Sequence, residues 1–196
     1  MPDLPAGRTA RVDVVLEGSV TATDGRVVST CTLIRDGQHV IVVDPGMADS
    51  AASILEPLAR VGVAADAVTD VVLSHHHPDH TMHAGLFPNA AVHDHWAIYR
   101  GAVWEDSDAE GRVVSPSVML IRVPGHTAED IATVSGTPGG IVVCTHLWWS
   151  ADGPADDPFA QDPAQLSASR RRVLAIAGLI VPGHGAAFEP GAATPR

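Results

Sequence analysis

Val71-Val72-Leu73-Ser74-His75-His76-His77-Pro78-Asp79-His80 runs from an apolar, β-like stretch straight into four imidazoles and a carboxylate. Histidine is a modest core residue and aspartate is costly to desolvate, so this density at a strand end makes sense with a cation among the side chains. The spacing is H-x-H-x-D-H. In extended chain His75 and His77 leave on the same side, while Asp79 and His80 follow at the corner of the loop. One loop can therefore offer two nitrogens to one ion, and an oxygen and a nitrogen to a second. That mixed set suits zinc and also manganese, iron or cobalt. A structural, cysteine-rich zinc site has different residue types.

Three further stretches carry the reading outward: Val42-Val43-Asp44-Pro45-Gly46 upstream, Pro124-Gly125-His126-Thr127 in the middle, and Pro182-Gly183-His184-Gly185 near the end. With the histidine loop, their order resembles the metallo-β-lactamase fold hydrolases over nearly the whole chain. The resemblance implies an α/β fold, a four-layer αβ/βα sandwich, as a single compact domain over residues 1–196. It also implies that His75, His77 and His126 hold a first metal, that Asp79, His80 and His184 hold a second, and that Asp44 orients the ligand loop. Within the family, the compact length and the stretch 163–188 resemble the metallo-β-lactamase domain-containing protein 1 subgroup.

One position departs from the family pattern. Many two-metal members carry a Gly-Asp pair after the strand corresponding to Ile141–Cys144, and that aspartate spans both ions. Here Cys144-Thr145-His146-Leu147 puts His146 in its place. A carboxylate has two oxygens, whereas an imidazole normally ligates through one nitrogen, so His146 is expected to bind one ion without bridging. Replacing an anion with a neutral ring leaves the cluster one unit more positive, which lowers the pKa of bound water and favours an anionic ligand. Alternatively, it costs the second metal.

Composition bounds the partners. The 196 residues include 12 arginines and no lysine, against 23 acidic residues, for a formal net charge of −11. Nucleic-acid affinity depends largely on basic residues neutralising phosphates, so a nucleic-acid partner is disfavoured and a small-molecule substrate expected. Arg170-Arg171-Arg172 reads as a solvated helix face. No apolar run approaches the roughly 18 residues of a membrane span, and Met1 to Arg11 has no apolar signal core, so the expected setting is cytoplasmic. Cys31 and Cys144 read as buried free thiols rather than a disulfide framework.

Strands are expected at Val12–Leu16, Val27–Ile34 and Gln38–Val43, with an Asp36-Gly37 turn between the last two. A helix capped by Asp49 should run to Ala59, shortened or kinked by Pro57. Ala90–His93 reads as a strand, Trp96–Arg100 as a helical turn, and Val118–Val123 as the strand leading to His126. A hairpin of Ile131–Val134 and Gly140–Cys144 leads to His146. Residues 150–162 read as a surface loop, Pro163–Ala177 as a helix, and Leu179–Val181 as the strand before His184. Trp148, Trp149 and Tyr99 are candidates for a lid over the substrate.

The leading expectation is a zinc-dependent metallo-hydrolase with one or two ions. The metal-activated hydroxide acts on a small ester, thioester, lactone, lactam or phosphodiester, with Asp79 positioning and deprotonating the water. The alternatives are a mononuclear iron, persulfide dioxygenase-like oxidoreductase using His75, His126 and His146, and a non-catalytic metal-binding relative.

Overall fold

Apolar residues that alternate along the strands bury both faces of two sheets. The computed structural model describes residues 4–196, so Met1 to Asp3, part of the segment read for a signal core, lie outside the described residues. The first half contains β1 (Arg11–Leu16), β2 (Ser19–Thr21), β3 (Arg26–Val28), β4 (Cys31–Asp36), β5 (His39–Val43), α1 (Ala52–Arg60), β6 (Asp70–Val72), α2 (Pro78–Thr81), β7 (Ala91–His93), β8 (Ala97–Arg100) and β9 (Val103–Asp106). The second half contains β10 (Val113–Ser115), β11 (Val118–Arg122), β12 (Ile131–Thr137), β13 (Gly140–Thr145), α3 (Pro163–Leu174) and β14 (Leu179–Pro182). One sheet has the order β1-β4-β5-β6-β7-β8-β9, the other β10-β11-β12-β13-β14, and β2-β3 is a separate hairpin.

Successive residues of one strand serve different cores, as a period of two requires. Ile34, Ile41, Val43 and Val72 meet Val118, Leu120, Val142 and Cys144 between the sheets. Their neighbours Leu33, Val42 and Val71 pack outward with Ile54 and Leu58 of α1. On the far side Met119, Ile121, Ile141 and Val143 pack with Leu166 and Val173 of α3. The result is four layers, helix on sheet on sheet on helix, the expected αβ/βα sandwich.

Several local expectations are corrected. The segment read as one strand, Val27–Ile34, is split: β3 folds back on β2 around Asp24-Gly25, and β4 begins at Cys31. Trp96–Arg100 is no helical turn, because Ala97–Arg100 pairs with Val103–Asp106 as a hairpin. Asp36 pairs with His39, so the turn residues are Gly37-Gln38, one place later than expected. Helix α1 runs through Pro57 to Arg60 without side-chain capping, and Asp49 instead accepts from Arg26 Nη2 at 2.9 Å. Arg170 is not solvated. Its guanidinium is buried and donates to the carbonyls of Leu147 (2.9 Å), Pro154 (2.9 Å) and Ala155 (2.6 Å), which shapes the loop after β13.

Candidate metal centre

Every histidine singled out for a metal lies just past the carboxyl end of a strand, on the same edge of the sandwich. Strand β6 delivers His75 and His77, and α2 follows at once with Asp79 and His80. Strand β11 leads to His126, β13 to His146 and β14 to His184. Two close approaches allow this convergence. A Cβ on Gly183 would lie 2.5 Å from the His146 ring, and one on Gly46 would lie 1.6 Å from the Asp79 carbonyl oxygen. Only glycine fits at either place.

Four of the imidazoles are tethered through Nδ1. His80 donates to Asp44 Oδ2 at 2.9 Å, His126 to Asp157 Oδ2 at 2.7 Å, and His184 to the Val28 carbonyl at 2.8 Å. His75 Nδ1 lies 3.1 Å from Ser74 Oγ. Such outward tethers fix the tautomer and leave Nε2 free to ligate. Asp44 also accepts from the Ser74 backbone N–H at 2.7 Å, so one carboxylate pins both ends of the histidine loop. Its backbone has φ of 50°, a conformation that non-glycine residues rarely hold without support.

The free nitrogens crowd together. His77 Nδ1 lies 3.0 Å from His75 Nε2 and 3.1 Å from His126 Nε2, and His146 Nε2 lies 3.0 Å from His184 Nε2. Asp79 Oδ2 is 3.2 Å from His80 Nε2 and 3.5 Å from His184 Nε2. The buried His80 Nε2 and His146 Nδ1 have no hydrogen-bond partner. Unpaired lone pairs facing one another are costly, and a cation among them removes the cost. The residues present therefore fit metal ions.

Two donor groups result. Asp79, His80, His146 and His184 each present a ligand atom within 4.8 Å of the others, and so do His75, His126 and His146. His146 belongs to both. His77 stands beside the second group through its contacts with His75 and His126.

Burial, reinforced by neighbouring imidazoles, holds His75 and His146 well below the ordinary histidine pKa and brings His184 down to about 4. Burial likewise lowers His77, helped by His126. These rings are neutral donors near pH 7. Burial opposes charge on His80 as well, but Asp44 and Asp79 outweigh it and raise its pKa to about 9. For Asp79 the burial that would raise its pKa is outweighed by His80 and His184, which bring it to about 2.

Five of the donor residues, His77, Asp79, His126, His146 and His184, form the floor of a cavity of about 370 Å³ that is lined as well by Val20, Val27, Trp149 and Phe159. Trp149 thus stands where a lid residue was expected. Trp148 does not: it is fully buried, packs with Phe188 and donates from Nε1 to the Pro195 carbonyl at 2.9 Å. Tyr99 also lies outside the cavity, and its hydroxyl donates to Asp94 Oδ2 at 2.6 Å. His76 turns away from the other rings, 3.1 Å from the same carboxylate. Cys144 packs between the sheets, its thiol pushed up to about 12 by burial.

Sequence reasoning missed three parts. Asp157, read as part of a surface loop, is buried against His126. Phe159 follows two residues later. Val20 and Val27 face each other across the β2-β3 hairpin, which the Asp24-Gly25 pair between valine-rich segments could have revealed.

Comparison with known proteins agrees with this geometry. The family model "Metallo-beta-lactamase superfamily" matches residues 24–184. The chain belongs to this superfamily. The metallo-beta-lactamase domain-containing protein 1 of Xenopus laevis is 32% identical over 93% of this chain and 83% of its own length. A hydroxyacylglutathione hydrolase of Aeromonas hydrophila is 34% identical over 74% of this chain and 55% of its own, so the chain spans about half of that relative. Its matches span about three fifths of the mammalian proteins described as metallo-beta-lactamase domain-containing protein 1. In fold, it is similar to an N-acyl homoserine lactone hydrolase, with a TM-score of 0.68 at 19% identity over 90% of this chain and 93% of that one.

Proposed function

We propose that the chain, acting as one domain, is a zinc-dependent hydrolase of small acyl compounds: esters, thioesters or lactones. One observation carries this reading. Two groups of metal donors share His146, and members of both, Asp79 and His184 of one and His126 of the other, form with it the floor of a cavity large enough for a small molecule. The likeness to a hydroxyacylglutathione hydrolase supports hydrolysis, and the lactone hydrolase shares the fold. His75, His77 and His126 would hold one ion and Asp79, His80 and His184 the other, with His146 completing one of the two sets. Manganese or iron would suit the same donors. When bound, the ions supply Lewis acidity and lower the pKa of a bound water.

The chain's own residues do the rest. Asp79, ionised through its neighbours, orients the attacking water and accepts its proton. Asp44 and Asp157 hold His80 and His126 at fixed orientations, so donor geometry is set before substrate arrives. The two free thiols suit a reducing, cytoplasmic setting. Among the described residues no helix is long and apolar enough to cross a membrane.

Zinc-loaded protein should hydrolyse model thioesters and lactones. His77→Ala should lower kcat/KM by about 100-fold or more, because it removes one of the proposed ligands of the first ion. Full turnover in that variant would refute the assignment. A second reading, persulfide oxidation at a single iron, would use the three-histidine set His75, His126 and His146, which leaves positions open for oxygen and a sulfur ligand. Oxygen uptake with a persulfide by iron-loaded protein, exceeding any hydrolysis, would establish it instead.

A further inference from the structure

The cavity has two unlike sides. Its floor is made of donor residues from both groups. Its wall consists of Val20 and Val27, partners across the β2-β3 hairpin, and of Trp149 and Phe159, whose rings stack at 5.8 Å with an interplanar angle of 11°. Among the described residues the lining holds no arginine, and the chain has no lysine. Arg26, on the hairpin itself, is held outside by Asp49. Among the described residues, Asp79 is the only carboxylate lining the cavity.

This charge pattern selects among the substrate classes open to a metal-dependent hydrolase. A phosphate or carboxylate remote from the reacting carbon would lose its hydration here with no cation to replace it. An apolar arm against two valines and a stacked aromatic pair gains by leaving water. We propose that the substrate is an uncharged ester, thioester or lactone whose apolar arm lies between the β2-β3 hairpin and the Trp149-Phe159 pair. These four residues, Val20, Val27, Trp149 and Phe159, set its specificity. The inference rests on the hydrolase reading and narrows it. In the reaction, water oxygen bonds to the carbonyl carbon and the C–O or C–S bond breaks. The leaving alkoxide or thiolate takes up the proton given up by water, yielding an acid and an alcohol or thiol. The hairpin is suited to a specificity role because Val20 is 42% exposed, so the arm covers apolar surface that the fold leaves open.

The test measures kcat/KM of the zinc-loaded chain on p-nitrophenyl acetate, butyrate, hexanoate and octanoate. Bis(p-nitrophenyl) phosphate and a carboxylate-bearing lactam serve as anionic comparators. Each methylene moved from water to the wall should raise kcat/KM by roughly fourfold until the cavity is filled. Trp149→Ala and, independently, Val27→Asp should flatten that gradient while zinc content stays at the wild-type level. A flat gradient in the wild type, or a tenfold preference for either anionic compound, would overturn the inference and leave the hydrolase reading standing. No turnover of any class by fully zinc-loaded protein would overturn the hydrolase reading, and the inference with it.

Discussion

The two donor groups share His146 but are built in different ways. Asp79 and His80 come from the short helix α2, and Asp44, at the end of the neighbouring strand, holds the segment from Ser74 to His80 at both ends. His75, His126 and His146 come from both sheets, contain no carboxylate, and depend on Asp157 from a distant loop to fix His126. Half of the anionic group is locally built, with His146 and His184 delivered by the second sheet, and the neutral one is assembled wholly by the tertiary fold. Because an imidazole ordinarily gives one nitrogen to one ion, both groups draw on a ring that serves one of them at a time. Two ions should therefore bind with unequal affinities.

The largest expected effect breaks the anionic group. Asp79→Asn keeps the shape and removes the charge and the proton acceptor, so kcat/KM should fall by about 10²–10⁴-fold, measured on the best ester of the panel. Loss below threefold would remove Asp79 from the chemistry. Next, the outer carboxylates should act on different groups: Asp157→Asn should weaken one zinc affinity by about 10–100-fold and Asp44→Asn the other, in competition with a chromophoric chelator. If both variants weaken the same ion, the division into two groups is wrong. His146→Asp restores a two-oxygen ligand and should bring the two affinities together, tightening the weaker by about tenfold; unchanged affinities would leave this position without influence on the metals.

The smallest effect lies away from the metals and joins the two halves. Asp36 accepts from Thr9 Oγ1, Ser115 Oγ and both the N–H and the Oγ of Ser117. Burial would raise its pKa, but these donors outweigh it and hold the group below the ordinary carboxylate value. Its folded pKa is depressed, so its contribution is complete above ~3.8 and is lost as pH falls through the folded value. Asp36→Asn should cost about 1–3 kcal/mol at pH 7 and less at pH 3, by urea unfolding. An equal cost at both pH values would show that its charge is irrelevant.

The same contrast explains what could be read in advance. The histidine loop is a local pattern, and so are the turns that end in His126 and His184; each follows an alternating apolar strand whose two faces feed separate cores. Asp157 carried no such signal, because aspartates in a proline-rich loop look alike until the fold brings one beneath an imidazole. Arg170 was misread for the same reason: three arginines in a row have the composition of a solvated face, and only the path of residues 147–155 gives one of them three carbonyl acceptors. Trp148 and Trp149 are adjacent, yet one is core and the other cavity wall, because the irregular chain past the end of β13 turns them apart with no strand period to foretell it.

Zinc bound per chain, measured on apoprotein reloaded with excess zinc and freed of loose metal, tests the central claim most directly when His126→Ala, His184→Ala and the double variant carrying both substitutions are compared with the wild type. The account predicts that the wild type retains zinc, that His126→Ala and His184→Ala each lose metal from a different group, and that the double variant retains none. A wild type that binds no zinc, or a double variant that retains the wild-type amount, would contradict it.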